Sequence, residues 1–187
     1  SKNALLHGKE NMHVLPFGVS NENSTAVFTY FPNTPALSTL HPEQWDVDPT
    51  AFKRAVKGTM KNPPENMRWM KWIPLAFSGI IAKQLVKGKK TVTCELKTLS
   101  SIIESEKIQK IDLLKIDCEG AEWDVLTGIS DNDWLKIKSI VIEVHNIENR
   151  LQKVKDLFAL KGFTKQFDEQ EKGLENSAMF NVFAIKV

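Results

Sequence analysis

The chain has 187 residues and a mass of 21.2 kDa, with 42% apolar and 26% charged residues, enough for one domain with a real core but not for two large ones. That profile excludes a disordered chain. Two cysteines (Cys94, Cys118) exclude a disulfide framework, and four scattered histidines show no metal-ligand spacing. The formal net charge of +2 hides an asymmetry along the chain. The longest apolar stretch, Trp72 to Ala82, is broken by Pro74 and is too short for a membrane span, and no signal peptide opens the sequence, so a soluble cytoplasmic domain is expected.

Asn3 to His7 reads as the tail of a helix stopped at Gly8, so the domain is expected to begin upstream of residue 1. Met12 to Val19 and Thr25 to Phe31 read as strands separated by Asn21-Glu22-Asn23, with Pro16 marking the first as an edge or irregular strand. Residues 32–90 form an irregular, aromatic and basic stretch with short helices expected at 50–60 and 75–87. Between 53 and 90 there are ten Lys or Arg and one acid, Glu65, a local charge of +9.

From Thr91 the pattern alternates between strand and helix. Thr91 to Leu96 is a strand, and Leu99, Ile102 and Ile103 form one face of a short helix with Thr98 as N-cap. Ile111 to Cys118 and Ser139 to His145 read as strands buried on both faces, with a helix at Glu122 to Ile129 between them. Leu151, Val154, Leu157 and Phe158 mark an amphipathic helix ending at Gly162, and Phe163 to Phe167 and Met179 to Val187 are the last strands. This order predicts an α/β fold with a mainly parallel, doubly wound sheet. The polar loop before the last strand permits an antiparallel pairing there.

In such sheets ligands bind beyond the carboxyl ends of the strands, here Lys115-Ile116-Asp117-Cys118-Glu119-Gly120 and Glu143-Val144-His145-Asn146. Asp117 and Glu119 share a face of their strand, as do Glu143 and His145, so adjacent strands would crowd three carboxylates and an imidazole together. Such a cluster could supply a general base or, less simply, hold a divalent cation; no full metal-ligand set can be counted. Glu119 and Glu122 could equally complement the dipole of the helix that follows. Asp117, ending an apolar strand, is expected to be buried and functional.

The basic stretch reads either as a solvated face or as a lid or docking surface for an anionic substrate or partner, because Arg68-Trp69-Met70-Lys71-Trp72 mixes cations with aromatics. No nucleic-acid motif is present. The nine glycines are never closer than eight positions, so no Gly-x-Gly-x-x-Gly, P-loop or Gly-x-Ser-x-Gly exists to cradle a nucleotide-type cofactor.

The block IDLLKIDCEGAEWDVLTG at 111–128 resembles the signature of the FkbM-type methyltransferases. The resemblance continues through KSIVIEVHNIENRL at 138–151, Gly162-Phe163 and the closing MFNVFAIKV. Upstream, NMHVLPFGVS at 11–20 is similar to the family's third strand, and ALSTL at 36–40 to its serine-threonine segment. The Glu-Val-His ending with a nearby Arg is similar to copies beside peptide- and polyketide-assembly enzymes.

The resemblance implies a Rossmann-like class I methyltransferase sheet, incomplete on its N-terminal side, within a single partial domain over 1–187 that carries a basic aromatic insertion at about 41–90. It implies S-adenosylmethionine as cofactor and methyl transfer, chiefly to an oxygen of a small molecule or sugar. The family's first strand with its glycine-rich loop, and its second strand with the ribose-binding acid, have no counterpart here. Val19 and Ser20 match the approach to the adenine, and Asp117 matches the acid near donor and acceptor. Asp117, Glu143 and His145 are therefore the expected catalytic set. Val19, Ser20 and Asp117 are expected at the cofactor, and Glu119, Arg68 and Trp72 at the substrate. The insertion would face an anionic substrate or carrier partner. The competing reading is a non-catalytic remnant or interaction module acting through residues 53–90.

Overall fold

The computed structural model describes residues 12–35, 38, 40, 51–63, 65–118, 120–170 and 178–187. Strands β1 (Gly18–Val19) and β2 (Ser24–Tyr30) are followed by helix α1 (Ala51–Lys61), two 3-10 helices (Glu65–Trp72 and Leu75–Phe77) and α2 (Ser78–Leu85). Next come β3 (Lys90–Lys97), α3 (Leu99–Ser105), β4 (Leu114–Ile116), α4 (Glu122–Thr127) and α5 (Asp131–Trp134). The chain closes with β5 (Ser139–His145), α6 (Arg150–Leu160), β6 (Lys165–Glu169) and β7 (Met179–Ile185).

The strands form two sheets rather than one. The first has the order β1-β3-β2, with β1 parallel and β2 antiparallel to β3. The second has the order β4-β5-β7-β6, with β4 parallel to β5 and β7 antiparallel to both neighbours. The last strand is thus antiparallel, as the sequence allows. The expected mainly parallel character is not found among the described residues: β7 turns two pairings antiparallel and the β2–β3 pairing, closed across the insertion, is a third. The sheet is also not wound on both faces there. Ile140, Ile142 and Val144 of β5 are buried against Val182 and Ala184 of β7, Val154 and Phe158 of α6, and Val125 and Leu126 of α4. The opposite face carries Val141, Phe167 and Phe183, none of them buried; Phe167 and Phe183 stack with ring centroids 4.4 Å apart.

Local chemistry explains most element bounds. Thr98 caps α3, its hydroxyl accepting from Ser101 N–H at 3.0 Å, and Ile102 and Ile103 are buried as the periodicity predicts. Helix α6 stops before Gly162, whose φ of +86° suits a residue without a Cβ. The strand expected over Met12 to Val19 keeps only its last two residues, past Pro16. The strand expected over 111–118 contracts to Leu114–Ile116, with Ile111 forming an isolated bridge to Ile137 and Leu113 exposed. Short helix α5 was not apparent in the apolar pattern; Ser130, whose hydroxyl accepts from Asp133 N–H, starts it.

Among the described residues, β1 meets the main core directly. Val19 packs against the main core, and Gly128 at the end of α4 lies directly on the Ser20 backbone, where an added Cβ would stand 2.3 Å from the Ser20 carbonyl oxygen. The insertion has its own small core of Val56, Met60, Met70 and Ala82. The helix expected at Asn3 to His7 lies outside the described residues. Among those described, no helix is long and apolar enough to cross a membrane.

Candidate functional site

The carboxyl ends of β1 and β4 open onto a shared cleft of about 450 Å³, between the two sheets. Gly18 and Val19 of β1, Cys94 and Leu96 of β3 and Phe28 of β2 supply a largely apolar wall. Asp117, Cys118 and Ala121 form the other side, and Pro35, Ser38 and Leu40 contribute from the segment after β2. Ser38 is tied to the end of β2, its hydroxyl accepting from Phe31 N–H at 3.1 Å.

Asp117 is the carboxylate lining this cleft among the described residues, and it is not buried as expected. Its side chain is 40% exposed and pairs with Lys115, Nζ to Oδ2 at 2.7 Å. The strand ends too early to bury it: Ile116 is the last residue of β4. That partnership holds the Lys115 ammonium above its usual pKa, through the hydrogen bond and charge of Asp117. The register places Ile116 beside Ile142, so Asp117 and Glu143 stand at corresponding positions one step further along adjacent parallel strands.

The carboxylate buried at the turn after β4 is Glu122, 0% exposed at the first residue of α4. Its Oε1 accepts from Gly120 N–H at 2.7 Å and lies 3.2 Å from His145 Nδ1. Arg150 Nη1 approaches Oε2 at 3.8 Å and donates to the Gly120 carbonyl at 2.9 Å. Burial alone would raise the Glu122 pKa. The hydrogen bond from His145, the Gly120 N–H and the His145 charge outweigh it and hold the carboxyl below the usual range. This knot fixes the turn after β4, where Gly120 has φ +103°, against the end of β5 and the start of α6.

The structure thus places His145 on Glu122 and Asp117 on Lys115. Val19 lines the cleft. Ser20 is buried beside it, its N–H bonded to the Lys97 carbonyl at 2.9 Å and its hydroxyl near Asn21. Arg68 and Trp72 lie in the 3-10 helix of the insertion and are not among the residues lining the cleft. Glu119 lies outside the described residues. Sequence reasoning missed the wall residues Cys94 and Leu96. Their spacing of two on one strand was visible, but not which strand would pair with β3. Among the described residues, no group of three or more His, Cys, Asp or Glu could hold a metal ion.

The sequence profile of the methyltransferase FkbM domain matches residues 7–169. The chain belongs to the FkbM methyltransferase family. Among curated relatives, this FkbM-family chain is 28% identical over 176 residues to methyltransferase sdnD of Sordaria araneosa, covering 90% of this chain and 60% of that protein. It is 29% identical over 163 residues to methyltransferase 1 of Beauveria bassiana, covering 87% and 56%. It is 30% identical over 146 residues to the 31-O-demethyl-FK506 methyltransferase FkbM of Streptomyces tacrolimicus, covering 78% and 51%. The chain therefore spans between about half and three-fifths of the length of these relatives. No solved structure matches it significantly.

Proposed function

We propose that this chain is the carboxyl-terminal part of a cytoplasmic, S-adenosylmethionine-dependent O-methyltransferase acting on a small molecule or sugar. The observation that carries this reading is the cleft at the carboxyl ends of β1 and β4, apolar on one side and bearing Asp117 on the other, in a chain of this family. The residues present suit such a cofactor. The apolar wall of Val19, Phe28 and Leu96 would take an adenine, and a carboxylate at Asp117 favours a cationic sulfonium nearby. When bound, the cofactor supplies an already activated methyl group, so the protein's task is chiefly positioning.

Within that division of labour, Asp117 would orient donor or acceptor, and Lys115, 2.7 Å away, would hold its carboxylate in place. Glu143, on the strand next to it, would take or steer the acceptor's proton. His145 is committed to Glu122, and its contribution would be to hold the Gly120 turn in place. Pro35, Ser38 and Leu40 would cover the acceptor, the part first expected of Arg68 and Trp72. The open edges of β1 and β4 would be joined by additional strands of the intact enzyme. The non-catalytic alternative has no comparable observation behind it.

The test is Asp117→Ala and Asp117→Asn in the full-length enzyme. Turnover is expected to fall at least tenfold, about 1.4 kcal/mol or more of barrier, with an unchanged melting temperature because Asp117 is exposed. Near-wild-type turnover in both removes Asp117 from the mechanism. A deuterated methyl donor followed by mass spectrometry of the product would separate oxygen from nitrogen acceptors.

A further inference from the structure

The insertion between β2 and β3 turns apolar side chains outward in a pattern that its own core does not require. In a 3-10 helix, residues three apart lie on one face. In the helix Glu65–Trp72, Met70 is buried, and Ile73 just beyond it packs against the same core. Trp69 and Trp72 fall on a different face, 60% and 89% exposed. Helix α2 repeats the arrangement: Ala82 is buried and Ile81 and Leu85 pack inward, whereas Ile80 is 65% exposed and Phe77, three residues before it, 49%. These are the side chains that partition into the headgroup region of a bilayer.

Cations frame them. Lys53, Lys57 and Lys61 recur every four residues along α1, so they form one stripe, and all three are exposed. One end of the stripe borders the apolar face directly. Lys53 lies across Gly79 of α2, where an added Cβ would stand 3.5 Å from Lys53 Cε, and Gly79 adjoins Ile80. Arg68 and Lys71 flank the tryptophans, and Lys83 and Lys87 continue α2; all four are exposed. Glu65 is the single acid among ten cations from 53 to 90.

We propose that this face of the insertion docks the protein onto an anionic bilayer surface, lying on the membrane without spanning it. Protein interfaces are depleted in lysine at their centres and bury their aromatic anchors in pockets of the partner. Here lysines interleave with outward tryptophans, the composition of an interfacial surface binder. The helices are too short to cross the hydrocarbon, which leaves the headgroup layer as the depth reached. This inference is independent of the proposed chemistry, because none of these residues lines the cleft.

The experiment is cosedimentation of the full-length protein with vesicles of phosphatidylcholine alone or with roughly a third phosphatidylserine, with tryptophan emission recorded in parallel. At least tenfold tighter binding to the anionic vesicles is expected, with a blue shift as Trp69 and Trp72 leave water. Raising salt from about 0.1 to 0.5 M should weaken it. Trp69→Ala, and separately Lys53→Glu with Lys57→Glu and Lys61→Glu, should each lower binding at least fivefold without moving the melting temperature, since these side chains are exposed. Equal binding to both vesicles or to neither overturns the proposal. So does binding indifferent to Trp69→Ala, which is charge adhesion only, and so does capture of an acidic carrier protein with no vesicle binding.

Discussion

Glu122 sits where a carboxylate is expensive, fully buried at the start of α4, and it stays charged because the Gly120 N–H and His145 converge on it, with Arg150 3.8 Å away. Removing the charge while keeping the shape, with Glu122→Gln, leaves Arg150 facing a neutral amide and should destabilise the fold by roughly 3 kcal/mol. That is a fall of about 6–12 °C in melting temperature for a chain of this size. The pH dependence has a definite sign. Because the folded carboxyl titrates below its unfolded value, its contribution is complete above the usual carboxylate range and is lost as pH falls through the lowered pKa. Urea titrations at pH 7 and at about pH 3 should show the gap between wild type and Glu122→Gln closing at the acid end. A constant gap would mean that Glu122 acts by shape alone. The sequence offered only a dipole-complementing role for this residue, since Glu at a helix start has that ordinary explanation. Its burial depends on His145, twenty-three positions away, and on Arg150. For Asp117 the error ran the other way: an apolar run ending in an acid looked like a buried strand, but β4 is only three residues long.

Among the elements, α4 decides how the halves meet. Gly128 ends it with φ near −80°, a conformation any residue adopts, so its lack of a side chain serves proximity alone. In Gly128→Ala the new methyl would meet the Ser20 carbonyl at 2.3 Å and the Asn21 Cα at 3.1 Å, backbone atoms that cannot rotate away. A loss of about 1–3 kcal/mol is expected, and under the proposed function S-adenosylmethionine would bind more weakly, because Val19 moves with Ser20. Gly18→Ala is the comparison. Its methyl would meet the end of the Leu96 side chain, which can shift, and should cost less in the same melting experiment. Elements with strong period or caps were legible in advance: β5 runs from Ser139 to His145 as read, and α6 carries Val154 and Phe158 inward. What could not be read was partner choice. The apolar pattern of Thr91 to Leu96 announces a strand without saying that β1 and β2 will flank it. Nor does Ile140-Val141-Ile142 reveal that Val141 stays half-exposed.

On the scale of the whole molecule, β1 and β4 belong to different sheets yet share one cleft. If further strands of the intact enzyme join them, this chain alone should bind S-adenosylmethionine far more weakly than a longer protein that carries them. Isothermal titration of the cofactor into both measures the difference. Micromolar binding by these 187 residues would show that the cleft between the sheets suffices.

Strand β7 has a consequence for the route by which the fold is reached. It is hydrogen-bonded to β5 on one side and β6 on the other, yet it follows both along the chain. Until it arrives, β5 and β6 each present an unpaired edge, and the core loses Val182 and Ala184. Among the described residues β6 pairs with β7 alone and across a short stretch of sequence, so the two can meet as a local hairpin, whereas the seam between β7 and β5 joins residues much further apart along the chain. Docking of that hairpin onto β5 should therefore be a late step, and a species whose β5 edge is still bare should be prone to aggregate.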